Sequence, residues 1–257
     1  MTIGTARKNT TLESLLIALD YTPNFSEEDM DYCLTLGFSE TPDFQERAAW
    51  VMDAPEVGSF LTKQGSKLLL VNGNHDLTTF LSPLSYVAAK IADLLTVSDD
   101  VICLTYFCSR HTDDWREPRA NAQGLLAQLT GQLLSQLKSK TQRDADLDLS
   151  MVTMEDQSAL EDEDFSATWR AFEVLIKQLP KKTIVIVLID GMSAYENSSR
   201  REETCALMRK LCRLLRKLKR VDLRCMLMFP GRSCYSDRWG IDFDGKRADS
   251  LEVPEHI

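Results

Sequence analysis

Apolar positions in the first sixty residues recur at helical spacing. Leu12, Leu15, Leu16 and Leu19 form one set, and Met30, Cys33 and Leu34 follow a capping-type start at Asn24-Phe-Ser-Glu27. A third helix is predicted from about Asp43 to Met52, and no strand-like alternation occurs in this stretch. From Lys67 the pattern changes. Leu68-Leu-Leu-Val71 is a short apolar run that ends in Asn72-Gly73-Asn74, which predicts a strand and a turn. Pro83 suits the first position of a helix whose Leu84, Val87, Ala88, Ile91, Leu94 and Leu95 make one stripe. A second strand is predicted over 101–107 and a helix over 121–137. A further helix carries Trp169, Phe172, Ile176 and Leu179 and ends at Pro180. The strand predicted over 183–189 is β-branched nearly throughout and runs into Asp190-Gly191. A long basic helix follows over about 200–219, and a fourth strand over 224–229 stops at Pro230-Gly231.

Strands that alternate with helices predict crossover units and a parallel sheet, and fully apolar strands fit a sheet covered on both faces. Ligands of such folds bind beyond the carboxyl ends of the strands. The windows of interest are therefore 72–82, 108–119, 190–199 and 230–240.

Composition narrows the function classes. The chain has 257 residues, 30 basic against 39 acidic side chains and a formal charge of −9, so its overall field does not hold it to nucleic acid. No apolar stretch approaches the length of a membrane span, and the first eleven residues lack a signal-peptide core. The seven cysteines form no C-x-x-C pair and sit mostly in apolar runs, which predicts reduced thiols in a cytoplasmic protein. Residues 141–164 hold nine acidic side chains and one basic one, and are expected to form a solvated or disordered loop.

Two strand ends carry candidate chemistry. A P-loop reads G-x-x-x-x-G-K-[ST], with backbone N–H groups around phosphate, a lysine on the β/γ-phosphates and a hydroxyl on Mg²⁺. Counted from Gly73, Thr78 stands at the second glycine, Thr79 at the lysine and Phe80 at the hydroxyl. The run Ile184-Val-Ile-Val-Leu-Ile-Asp190 has the Walker B form, whose carboxylate positions Mg²⁺, although a buried strand that ends in a turn gives the same letters.

The ordered series Lys67-Leu-Leu-Leu-Val-Asn-Gly-Asn, Ser82-Pro-Leu-Ser-Tyr-Val-Ala-Ala-Lys90, Tyr106-Phe-Cys-Ser-Arg-His-Thr112, Lys177-Gln-Leu-Pro180 and Ile189-Asp-Gly-Met-Ser-Ala-Tyr-Glu196 resembles fungal NACHT-like STAND P-loop proteins over roughly residues 40–235. The resemblance implies a three-layer α/β fold: an ASCE-type P-loop parallel sheet, ordered second, third, fourth, first strand, with an N-terminal helical leader. The leader is expected over 1–60 and the degenerate P-loop domain over 61–257, with the acidic insert inside it. It further implies a degenerate Walker A site at Gly73, Asn74, His75, Asp76, Thr78 and Thr79. Asp190, Gly191 and Glu196 form the Walker B region, with Asp190 as the Mg²⁺ ligand, and Arg232 stands as a sensor-like cation. The family's D-G-x-D-E acids fall on Ser193 and Ala194 here, and the Walker A lysine is missing. Lys67, Lys90 and Arg232 are the cations considered as substitutes for it. ATP or GTP with Mg²⁺ is the implied ligand, held weakly at best. The last twenty-odd residues are expected to hold no winged helix or effector domain.

Other constellations are weaker. Gly73-Asn-His-Asp76 matches G-N-H-[DE] of calcineurin-like phosphoesterases, yet the chain has three histidines and no D-x-H. A zinc site at His75 and His111 would have to bridge strand ends about 14 Å apart, so surface histidines are expected instead. Gly191-Met-Ser193-Ala-Tyr195 lacks the last glycine of a nucleophile elbow and reads as a turn. The helix over 200–219 carries eight basic residues against Glu202 and Glu203. Its basic face, Arg200 included, is expected to be solvated and to dock an acidic protein partner or the chain's own 144–164 segment. Nucleic acid fits it poorly, because no aromatic residue interrupts that face.

The expectation is a regulatory nucleotide-binding or interaction module with little or no catalysis. The enzyme-class alternatives are an NTPase with an unorthodox phosphate loop and an unrelated α/β enzyme on the same scaffold. Membrane association is not expected, and oligomeric state is left open.

Overall fold

The computed structural model describes residues 11–39, 41–75, 81–98, 100–113, 115–140, 149, 152–243 and 247–256. Five parallel strands form one sheet: β1 (Lys67–Asn72), β2 (Val101–Phe107), β3 (Ile184–Asp190), β4 (Asp222–Phe229) and β5 (Ala248–Glu252), in the order β2-β3-β4-β1-β5. The first four stand in the order the family resemblance implies, so the domain is a three-layer α/β fold of P-loop type. β5 adds an edge strand beside β1. Its sequence, Ala-Asp-Ser-Leu-Glu, has only two buried positions, because an edge strand covered on one face needs no apolar run.

Alternation along the strands builds two cores. Leu68, Leu70, Val185, Val187, Ile189, Leu223, Cys225 and Leu227 face one side, and Leu69, Val71, Ile186, Leu188, Met226 and Met228 face the other. The first side is covered by α1 (Leu12–Ala18), α6 (Ala122–Lys140), α8 (Phe165–Gln178) and α9 (Arg201–Lys217). The second is covered by α2 (Phe25–Ser39), α3 (Pro42–Asp53), α4 (Pro55–Thr62) and α5 (Pro83–Thr96). The leader helices thus lie on both faces of the sheet. The apolar side of α9 (Cys205, Met208, Leu211, Cys212, Leu215) is buried, as its spacing predicts. Among the described residues no helix is long and apolar enough to cross a membrane.

The acidic segment departs from expectation. Its second half forms α7 (Met154–Glu161), which packs on α1 and α8. A capping box opens it: the Asp156 N–H donates to Thr153 Oγ1, and the Thr153 N–H donates to the Asp156 carboxylate. Its described ion pairs are Asp156 with Arg170 and Glu163 with Arg119, neither of which lies on α9. Residues 141–148, 150 and 151 lie outside the described residues. Thr153→Ala is expected to cost about 1 kcal/mol by loss of the cap. Equilibrium urea denaturation measures it, and an unchanged midpoint would mean that this segment contributes no folded helix.

Candidate functional site

The carboxyl ends of β1, β3 and β4 meet where a P-loop domain holds its ligand. Gly73 leaves β1 against the turn after β4. Its N–H donates to the Phe229 carbonyl (2.8 Å), that of Asn74 to Gly231 (3.1 Å) and that of His75 to Pro230 (2.9 Å). A Cβ at Gly73 would stand 2.5 Å from the Pro230 oxygen, so the close approach of the two backbones requires glycine. Asn74 sits at φ 49°, and its side-chain amide donates to Glu252 and to the Val253 carbonyl. These three N–H groups therefore lace β1 to β4 and do not open toward a ligand. His75 lines a hollow of about 370 Å³ with Phe44, Leu81 and Pro83. Asp76, Thr78, Thr79 and Phe80 lie outside the described residues.

Helix α5 caps itself. Leu84 N–H donates to Ser82 Oγ, Ser82 N–H donates to Ser85 Oγ, and Pro83 has no N–H. The amides that a P-loop helix turns toward phosphate are partly used within this turn.

Asp190 ends β3 with no solvent exposure. Its Oδ2 accepts a 2.6 Å hydrogen bond from Ser109 Oγ, while Oδ1 has no hydrogen-bond partner among the described residues. Ser85, in the first turn of α5, and the Gly191 amide also face the carboxylate. Burial pushes the Asp190 pKa up to about 6, against the lowering effect of these hydrogen bonds. The neighbouring Cys33 and Cys108 thiols are pushed up as well, by burial first and by the Asp190 charge second. Gly191 holds φ 68°, and a Cβ there would collide with the Ser109 backbone.

A P-loop holds Mg²⁺ between its helix-opening hydroxyl and the Walker B carboxylate. Ser85 and Asp190 occupy those two places. Counted back from Ser85, the lysine place is Leu84, 2% exposed in the core under α5, and the second-glycine place is Pro83. The register counted from Gly73 put the hydroxyl five positions earlier, at Phe80. The signal that locates Ser85 is the Ser82-Pro83 helix start, whereas Ser109 falls inside the 108–119 window but nothing in its residue type marks it out. These oxygens suit Mg²⁺ by type, but Mg²⁺ keeps several waters and Asp190 has no contact with solvent. The site as folded does not fit a hydrated ion, and no metal-dependent step follows from it.

The remaining candidates are engaged elsewhere. Glu196 accepts from Ser233 Oγ (2.8 Å) and the Cys234 N–H (2.9 Å), which ties the turn after β3 to the turn after β4. Burial raises its pKa against those bonds. Arg232 pairs with Glu252 at 2.9 Å. Lys67 lies at the amino end of β1 and donates to the Ser59 carbonyl, and Lys90 pairs with Asp93 on the surface of α5. Ser193 lies in a 3-10 turn, Met192–Tyr195, as the turn reading expects. Among the described residues no group of three or more histidine, cysteine or acidic side chains could hold a metal.

Two expectations about exposure are overturned. Arg200 is buried, not solvated: it donates to the carbonyls of Ala194 and Thr112 and lies over the Tyr195 ring. His111 is also buried. Its Nε2 meets Asp29 at 2.6 Å, its Nδ1 meets Glu117 at 2.8 Å, and its ring stacks on Phe25. Arg110 pairs with Asp29 as well. A neutral imidazole donates only once, so two carboxylate partners call for the imidazolium. Burial is the largest effect and opposes the charge, but the hydrogen bonds and charges of Asp29 and Glu117 together outweigh it and raise the pKa.

Strand order, the acid that ends β3 and the helix-opening hydroxyl that faces it define a NACHT-like P-loop nucleotide-binding fold. Residues 46–228 match the family described as Nephrocystin 3, N-terminal, and the chain belongs to that family. The Aeropyrum pernix ORC1 protein, solved in complex with DNA, is similar at 13% identity and a TM-score of 0.40, over 85% of this chain and 47% of that one. This chain thus spans under half the length of that protein. No curated protein matches the chain in sequence.

Two predictions follow the geometry. A carboxyl whose folded pKa is raised from 3.8 to about 6 destabilises the fold by about 3 kcal/mol above pH 6, and this cost fades as pH falls toward 4. Asp190→Asn is therefore expected to raise the urea midpoint at neutral pH and to lose that advantage near pH 4. An advantage that persists in acid would place the effect elsewhere. His111 titrates with the opposite consequence: its raised folded pKa gives stability that is complete below the unfolded value of 6.5 and is lost as pH rises through the folded one. Urea midpoints between about pH 5.5 and 8.5 should fall in the wild type and stay flatter in Asp29→Asn.

Proposed function

We propose that this chain is a catalytically degenerate NACHT-like module of the STAND class, of the type its motif series resembles in fungal proteins. It acts as a regulatory interaction domain and not as an NTPase. The observation that carries this reading is Leu84. An apolar, buried side chain stands where the P-loop needs a cation on the β/γ-phosphates, and losing such preorganised charge costs orders of magnitude in rate. The closed setting of Asp190 and the structural bonds of Glu196 support the same reading. Nucleotide binds weakly, because the amides of 73–75 are bonded to the turn after β4 and those at the start of α5 are partly used in its cap. The exposed residues of α9, Arg213, Arg216 and Lys217, offer an acidic protein partner a docking face, and the free state of all seven cysteines agrees with a reducing, cytoplasmic setting.

Phosphate release from ATP or GTP with Mg²⁺ should not exceed background, and calorimetry should give millimolar affinity or weaker. Turnover above about 1 per minute, itself far below the usual range of about 1–10³ per second, would overturn the proposal if Asp190→Ala abolished it. Micromolar ATP affinity would show that another cation has replaced the lysine.

A further inference from the structure

The opposite end of the sheet carries a feature that the nucleotide-type site does not use. At the amino ends of β1, β3, β4 and β5 lies an open hollow of about 930 Å³. Its walls are the α4–β1 connection, the turn before β3, the turn between α9 and β4, and the approach to β5. Six cations line it: Lys63, Lys67, Lys182, Lys219, Arg220 and Arg247. Only two acids do so, Asp222 and Asp249, in a chain that is acidic overall. Asp222 is already engaged, with its Oδ2 accepting from the Arg224 guanidinium at 2.7 Å and from the Gly65 N–H at 3.0 Å.

Some of the cations have structural partners. Lys67 donates to the Ser59 carbonyl, and Arg247 donates to the last carbonyls of α9. Lys63, Lys182, Lys219 and Arg220 are exposed and form no ion pair among the described residues. They sit on short connections that are laced together. Lys182 N–H donates to the Arg220 carbonyl, and Asp222 N–H donates to Thr183. Lys182 is held at φ 70°, a conformation that a side-chain-bearing residue rarely adopts and that persists only where the surroundings impose it. Burial chiefly lowers the Lys67 pKa, and Arg224 and Lys63 lower it further, against the raising effect of Asp249 and Asp222.

We propose that this hollow is a binding site for a compact ligand that carries several phosphate groups, either free or displayed as a lipid headgroup. The lining contains no aromatic side chain on which a base would stack, and the walls enclose a hollow and not a track for a strand. A small scaffold with clustered phosphates matches both the spacing of cations around one concavity and the excess of charge.

Calorimetry on the full chain at about 0.15 M salt uses tripolyphosphate and inositol hexakisphosphate as probes, beside vesicles of phosphatidylcholine with and without phosphatidylinositol bisphosphate. Micromolar binding of at least one probe is expected. Lys182→Gly relieves the backbone while it removes the charge, so it should keep or raise thermal stability and weaken binding at least tenfold. Lys63→Glu and the pair Lys219→Glu with Arg220→Glu should do the same to binding. Arg116→Glu, exposed in the turn after β2 at the carboxyl ends of the strands and so at the opposite end of the sheet, should leave affinity within about twofold, although it changes net charge as much as Lys63→Glu does. Vesicle binding that the soluble probe displaces assigns a headgroup, and binding of soluble probes alone assigns a free ligand. No heat with any probe, or equal losses in Arg116→Glu and Lys182→Gly, would overturn the proposal.

Discussion

Val185, Val187 and Ile189 send their side chains to one face of the sheet, and Ile186 and Leu188 send theirs to the other, with neither face reached by water. A central parallel strand that is apolar on both sides folds only if a helical layer covers each face, because burial of that surface is the main favourable contribution to folding. The helices before β1 share this task. α1 and the residue that caps its end supply Leu15 and Leu19 to one core, and α2 to α4 supply Cys33, Val51, Val57 and Phe60 to the other. The early helices are parts of the sandwich and contribute to the covering of the sheet on both sides.

With both faces closed, polar chemistry is confined to the ends of the strands, and the two ends differ in kind. At the carboxyl ends, almost every polar group is spent on the fold itself. Asn72 donates to Glu252 and accepts from Ser233, Glu196 holds the turn after β4, and the amides of 73–75 bond to the β4 turn. Asp190 is an exception, with one carboxylate oxygen left without a partner among the described residues in a dry setting, as is the Ser193 hydroxyl in the turn that follows it. A buried polar group so placed costs stability, which is why the Asp190 pKa moves toward the neutral form. At the amino ends, exposed cations collect without matching acids. Helix carboxyl termini attract cations, and Arg247 on the last carbonyls of α9 is an instance. Lys63, Lys182, Lys219 and Arg220 make no such bonds among the described residues.

The local pattern made the strands legible. A run such as Val101–Phe107 is apolar and β-branched whatever surrounds it, and its observed bounds coincide with the expected ones. The helix expected over about Asp43 to Met52, the helix start at Pro83 and the apolar side of α9 were legible for the same reason, since caps and periodicity are properties of short windows. Elements whose apolar content is thin escaped notice. β5 gains its structure from hydrogen bonds to β1, and α7 rests its few apolar side chains on α1 and α8, so neither announces itself in its own residues.

At the site, the sequence by itself determined that an acid ends β3, that a glycine follows β1 and that the Walker A lysine is missing, because each depends on residue type at a place along the chain. Only the tertiary structure decided which hydroxyls face that acid. Ser85 reaches Asp190 from a helix 105 residues away in the chain and Ser109 from the turn after another strand, 81 residues away, separations that no local pattern encodes. The same holds for His111, whose charge is set by Glu117 and by Asp29 from α2, 82 residues earlier in the chain, and for Arg200, which turns inward to carbonyls of two separate turns. Burial and partner choice are properties of the assembled layers, and a side chain's protonation and role follow from them.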